Sequence, residues 1–216
     1  FNDHNITVLL GHETKNDKYD YMYGHMTNFA DPTNPEFSNA AQYQGLSSYS
    51  AEYALEGYFG KAEYNYANKY YLTASLRRDG SSKFHKDNRW GLFPSVAAAW
   101  KINEEAFLKD SKVVSDLKLR LGWGKTGQQE GIGDYTYFAS YTTNGLGAYY
   151  PIVGNGMTYR PDAYNAALTW EKTTTYNAGI DLSLLNDRFT VNLDYYYRKT
   201  TDLINTCLLY TSDAAD

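Results

Sequence analysis

The chain has 216 residues, 23 of them Tyr and 4 Trp, and a formal net charge of −5. Length alone would suit one or two soluble domains, but so much tyrosine argues against an ordinary one. No basic stripe is present, which removes nucleic acid as a partner, and no apolar run approaches the ~20 residues of a membrane helix.

Transmembrane strands escape that last test, because they alternate and carry a weak hydropathy signal. The chain opens at Phe1 in mid-strand, with neither an initiator Met nor a signal peptide, so a fragment of a longer protein is expected. Its one cysteine is Cys207, at the start of CLLYTSDAAD. Those ten residues, 207–216, resemble the translation of a transposon adapter used in sequencing libraries. They are expected to be a non-native tail, leaving 1–206 as one domain.

Residues 5–13 (NITVLLGHE) set Ile6, Val8 and Leu10 against Thr7, Leu9 and Gly11, a first strand that the Tyr-rich KYDYMYG can continue. Residues 22–50 are polar and hold Asp31-Pro32 and Asn34-Pro35, which are loop signals. From Ala54, one face runs Tyr58, Gly60, Ala62, Tyr64, Tyr66 and the other Phe59, Lys61, Glu63, Asn65. Asn68-Lys69 is read as a tight reversal into a third strand with Leu72, Ala74 and Leu76 on one side. A charged loop at 78–90 leads to a fourth strand, 91–102, with Val96, Ala98, Trp100 and Ile102 aligned.

Asn103, followed by Glu104 and Glu105, predicts an N-capped short helix within 103–116. Alternation resumes at 117–125. Residues 127–165 form a Gly/Tyr/Asn-rich loop too long for a compact domain unless it is functional. The last pair is the cleanest, with Tyr176, Ala178, Ile180, Leu182 and Leu184, a turn at Asn186-Asp187, then Phe189, Val191, Leu193, Tyr195 and Tyr197.

The pattern predicts an all-β, antiparallel up-and-down meander of about seven strands, with long loops after strands one, three and five. Alternating long and short connections suit a transmembrane barrel, whose periplasmic turns are short and outer loops long. A soluble carbohydrate-binding β-sandwich, secreted or periplasmic, is the alternative that alternation also allows. A β-sheet hydrolase would need a carboxylate or Ser/His constellation, and none is found, so no catalytic residues are expected.

Several blocks in one order resemble the SusC/RagA group of TonB-linked outer-membrane transporters. They are YALEGYFGKAEYNYANKYYLTASLRRDGSSKF, NRWGLFPSVAAAWKINEEAFLKD, LKLRLGWGKTGQQEGIGDY and TWEKTTTYNAGIDLSLLNDRFTVNLDYYYRKTTDLI. Two positions depart from that pattern: Gly127-Gln128-Gln129 where Gly-Asn-Gln is usual, and Asn165-Ala166-Ala167-Leu168 where Asn-Pro-Asp-Leu is. The resemblance implies a 22-stranded outer-membrane barrel around an N-terminal plug. It also implies contact with TonB through that missing part, a SusD-like surface lipoprotein as lid, and oligosaccharides or in some members peptides as cargo. The 103–116 helix would then lie on the periplasmic side.

Gly124-Lys125-Thr126 is a partial phosphate-loop match, but the pattern needs a further Gly where Leu119 stands. Arg77, Arg78 and Asp79 could grip an anion at the outer rim, though pairing with neighbouring strands explains them better. His4, His12, His25 and His85 lack metal-ligand spacing, and no metal or cofactor is expected. Asn5-Ile6-Thr7 matches a glycosylation acceptor inside a strand, where it would not be used. The ligand-binding candidates are the loop aromatics Tyr135, Tyr137, Tyr141, Tyr149, Tyr150 and Tyr159, since a sugar face stacks well on a ring with a polar tip. Packing within the loop, or a place in the aromatic girdle, is the plainer explanation of the same residues.

Overall fold

A computed structural model describes residues 3–143, 150–151 and 158–204. Its strands are β1 (His4–Phe29), β2 (Ala40–Tyr66), β3 (Tyr70–Ser81), β4 (Trp90–Lys101) and β5 (Val114–Gln128). Three short ones follow, β6 (Tyr141–Thr143), β7 (Tyr150–Pro151) and β8 (Thr158–Pro161), then β9 (Glu171–Leu184) and β10 (Phe189–Thr201). Seven of them form one antiparallel sheet in the order β1-β2-β3-β4-β5-β9-β10, curved as half a barrel. The edges β1 and β10 do not pair with each other, so the sheet is open, as expected for part of a larger barrel.

Register turns the alternation of single strands into a continuous surface. Across the sheet, Ile6 meets Tyr64, then Leu72, Ala98, Leu121, Ala178 and Tyr195. The adjacent row on the other face is Thr7, Glu63, Thr73, Ala97, Gly122, Asn177 and Tyr196. In these rows one face is apolar on every strand, whereas the other is mostly polar or small, with Leu9 and Phe59 among its exceptions. A sandwich would cover its apolar face with a second sheet. Here Val8, Leu10, Leu72, Leu121, Val191 and Leu193 all stay exposed, so the sandwich alternative is excluded.

The apolar band has membrane height. On β10 it is bracketed by Phe189 and Tyr197, which at about 3.4 Å per residue lie ~27 Å apart along the strand. Barrel tilt shortens that to roughly 20 Å, close to the ~25 Å apolar band of outer-membrane barrels. Aromatic rings mark both limits. Tyr66, Tyr70 and Trp100 stack at the short-turn end, with ring centroids 6.2 Å apart. At the other limit stand Tyr58 with Trp90, and Tyr176 with Tyr197.

The ribbon β1–β2 corrects the expected 22–50 loop. Both strands run on to residues 29 and 40, so only 30–39 connects them. At 26 residues β1 is roughly 85 Å long, far more than a membrane crossing needs. This outer part stands in water, where neither face must bury apolar groups, so its sequence shows no apolar alternation. Tyrosines on one face hold it together instead, Tyr49 lying 5.0 Å from Tyr21 and 6.0 Å from Tyr19 between ring centroids. The Asp-Pro and Asn-Pro signals do fall in the connection. There the Asp31 carboxylate accepts from the Thr33 N–H and hydroxyl at 2.9 and 2.7 Å, which holds its pKa below the usual carboxylate value.

The helix expected over 103–116 is absent. A 3-10 turn at Ile102–Glu104 is followed by one hydrogen-bonded turn, with Lys109 N–H donating to the Glu105 carbonyl at 2.9 Å. Two side chains explain why it goes no further. Asn103 reaches across to the Leu117 backbone at 3.3 Å instead of capping. Glu105 accepts from the Tyr70 hydroxyl (2.5 Å), the Trp100 ring N–H (3.1 Å) and the Lys69 ammonium (3.4 Å), which pins the segment to the wall.

Those partners, the Tyr70 hydroxyl first, hold the Glu105 carboxyl below the usual carboxylate range. A lowered pKa gives stabilisation that is complete above the unfolded-state value and is lost as pH falls through the folded one. Amide protection over 102–113 should therefore drop on acidification below the carboxylate range, after correction for intrinsic exchange. Glu105→Gln should remove that pH step. A step of equal size in the variant would mean another group is responsible.

The turns differ in detail from expectation. Ala67 and Asn68, rather than Asn68-Lys69, take the left-handed conformation, and at the last turn Leu185 joins Asn186 and Asp187 in it. Residues 127–165 are not one structureless loop, since β8 pairs with both β6 and β7 in a separate small sheet.

Candidate functional site

The long-loop end carries the one buried apolar cluster among the described residues: Phe84, Phe93, Ile132 and Trp170. Phe93 lies on the same face as Ser95, whose hydroxyl meets Ser75 at 2.7 Å on the polar wall. The cluster thus sits inside the barrel mouth and ties the 82–89 and 129–140 connections to the start of β9. Trp170 anchors it, donating its ring N–H to the Arg89 carbonyl at 2.9 Å, with Phe84 and Phe93 at 5.2 and 5.5 Å.

Two cavities open beside this cluster and share one wall, Tyr53. The larger, 430 Å³, is lined by Glu13, Lys15, Arg77, Asp79, Gln129 and Trp170 among others. The smaller, 360 Å³, is lined by Asp17, Glu52, Ser82, Asp134, Tyr135 and Tyr137 among others. Both fall in the size range of small-molecule sites.

Charged groups fix the shared wall. Lys83 is drawn in to Asp134 (3.1 Å) and to the Ile132 carbonyl (3.1 Å), and its ammonium lies 4.7 Å from the Tyr53 ring centre. Lys15 donates to the Tyr53 hydroxyl at 2.9 Å and pairs with Asp17 at 3.2 Å. Below them Arg77 binds Asp79 through two 2.8 Å contacts and Glu13 at 3.1 Å. That ion pair lies flat over Gly57, where an added Cβ would fall 2.6 Å from the Asp79 carboxylate. In the larger cavity the Gln129 side-chain oxygen is buried and has no hydrogen-bond partner among the described residues.

The six candidate tyrosines separate in space. Tyr135 and Tyr137 line the smaller cavity, and the Tyr135 hydroxyl accepts from the Glu52 N–H at 3.2 Å. Tyr141 lies on β6, opposite Pro161 and exposed. Tyr150 and Tyr159 are register partners in the small sheet, and Tyr149 lies outside the described residues, as does the 207–216 tail. Of the charged rim residues, Arg77 and Asp79 pair on the inner wall, whereas Arg78 turns outward over the Trp90 ring at 4.5 Å. Among the described residues no three His, Cys, Asp or Glu gather as a metal site.

Sequence reasoning passed over Tyr53, Lys83, Asp134 and Glu13. Tyr53 had a signal: it lies in period two with Leu55 and Phe59, on the inner face, just before the run counted from Ala54. The others had none, because their partners are distant in sequence.

A curved open sheet with a lipid-facing band, two aromatic rims and a charged mouth defines the wall of an outer-membrane β-barrel. The comparisons with known proteins agree. Residues 1–214 match the family described as TonB dependent receptor-like, beta-barrel, and the chain belongs to that family. It is 51% identical over 170 residues to the TonB-dependent receptor SusC of Bacteroides thetaiotaomicron, covering 77% of this chain and 17% of SusC. TonB-dependent receptor P39 of Formosa agariphila is 35% identical over 212 residues, which is 94% of this chain and 19% of the relative. Among solved structures, the RagAB peptide transporter superposes with a TM-score of 0.83 at 29% identity, over 94% of this chain and 22% of that one. The chain thus spans about a fifth of the length of these proteins. Its place is the outer membrane.

Proposed function

We propose that these strands form part of the wall and mouth of a TonB-dependent importer of oligosaccharide fragments, working with a SusD-like lipoprotein lid. Ligand would be captured at the outer mouth, enclosed by the lid, and admitted when TonB moves the plug. No bond is broken in such a cycle. The observation that carries the sugar reading is Tyr53, an aromatic wall between two cavities whose rims hold the carboxylates of Asp17, Asp134, Asp79 and Glu13. A pyranose presents C–H faces that pack on a ring and hydroxyls that donate to carboxylates, and this site supplies both.

Peptides are the second reading, favoured by the likeness to the RagAB peptide transporter and by the mixed charge of the mouth. Tyr53→Ala and Tyr137→Ala in the intact transporter should each weaken oligosaccharide binding about tenfold, as the loss of a stacking contact near 1.4 kcal/mol would. Calorimetry on the transporter–lipoprotein complex reads this directly. Binding of short peptides and of no oligosaccharide would replace the first reading by the second.

A further inference from the structure

The outward face carries a charged feature that transport leaves unused. Directly beyond the Trp123–Tyr176–Tyr197 row of the aromatic rim, the next outward row is Lys125, Thr174 and Lys199. Two residues of rise place it ~7 Å further from the membrane centre along the strand, and two strand spacings put the lysines ~10 Å apart. The row above holds Lys172, but Asp202 takes that charge at 3.0 Å. Neither Lys125 nor Lys199 has an ion pair or side-chain hydrogen bond among the described residues. The short-turn rim differs, since there Glu105 gathers Lys69, Tyr70 and Trp100 into a self-satisfied cluster.

Beneath the lysine row lies an outward apolar groove of 410 Å³, lined by Val96, Ala98, Leu121, Trp123, Tyr176 and Tyr195 among others. Open cations, a hydroxyl between them, aromatic rings below and an apolar groove under the rings match one kind of ligand from head to tail. The geometry points to a binding site for a phosphorylated lipid of the outer leaflet. Its phosphate lies between the Lys125 and Lys199 ammonium groups over Thr174, and an acyl chain follows the groove. Lysine binds phosphate as a flexible point charge, so stems reaching in from β5 and β10 suffice. A free anion would gain nothing from the groove, which is why the assignment is to a lipid.

The test uses the intact purified barrel, diphosphoryl lipid A as probe, and native mass spectrometry to count retained lipid. Wild type should hold the phosphorylated lipid and release its dephosphorylated form far more readily. Lys125→Gln with Lys199→Gln should weaken retention roughly thirtyfold, the effect of two interfacial lysines. Arg198→Gln, next to Lys199 but on the inner face, should change nothing. Heat-modifiable gel migration checks that each variant is folded. Equal retention by wild type and the double variant would overturn the site. So would equal loss in Arg198→Gln, equal wild-type affinity for the dephosphorylated lipid, or inorganic phosphate binding as tightly as the lipid.

Discussion

Leu193→Arg should sharply reduce the folded barrel in the outer membrane, while Asn192→Arg, one residue away, should be tolerated. Leu193 is 67% exposed, stands in register with Ile180 and then Leu119, and lies in the middle of the apolar band between Phe189 and Tyr197. Lipid meets it there. A charge at mid-bilayer on the lipid face costs about 2–4 kcal/mol, whereas the same charge on a wet inner wall costs far less. Asn192 is paired with Asp181, whose carboxylate already binds Arg120 at 2.8 and 2.9 Å, so a second cation meets a charged wall. The fraction that migrates as heat-modifiable barrel separates the two variants. Equal yields would mean that the faces are not divided between lipid and water.

The second large effect belongs to Trp170. It is 5% exposed, it holds the cluster of Phe84, Phe93 and Ile132 at the mouth, and its ring N–H satisfies the Arg89 carbonyl. Removing a packed Trp side chain costs about 3–5 kcal/mol when the site cannot collapse. Here that cost falls locally. The β5–β9 and β9–β10 ladders are held by backbone pairing that Trp170 does not join. Trp170→Ala should therefore leave the barrel assembled but expose 82–89 and 129–140 to protease, and the ligand binding proposed at the Tyr53 wall should weaken with them. Cleavage patterns unchanged from wild type would show that the cluster does not organise the mouth.

How far the sequence could be read depends on which solvent each segment meets. Within the bilayer one face must be apolar and the other not, so β9 and β10 are legible residue by residue from Tyr176 to Tyr197. Above the bilayer that constraint ends. The upper ribbon of β1 and β2 sets Tyr among mostly polar residues with no apolar period, and two Pro signals in 30–39 made a much longer stretch look like loop. The false helix at 103–116 has another cause. Its acidic start was real, but Glu105 serves Tyr70 and Trp100, partners that lie on two other strands. The mouth was the least legible part. Of the six loop tyrosines only Tyr135 and Tyr137 line this cavity, and Tyr53 shares it from far earlier in the chain, through contacts such as Tyr135 to Glu52. Aromatic residues suit stacking, rims and loop packing alike, so composition could not sort the six.

Each strand is divided between lipid and a watery interior, and β10 offers the most direct measurement of that division. Single cysteines would be placed in turn at positions 190–196 of the intact barrel, otherwise freed of cysteine, in bilayers and spin-labelled. Accessibility to dissolved oxygen, which concentrates in lipid, should peak at 191, 193 and 195 and fall at 190, 192, 194 and 196. Accessibility to a water-soluble nickel chelate should run in the opposite phase. Two-residue periodicity with that phase is the predicted result. Uniform accessibility along β10, or the reverse phase with 192 and 194 toward lipid, would contradict the account at its root.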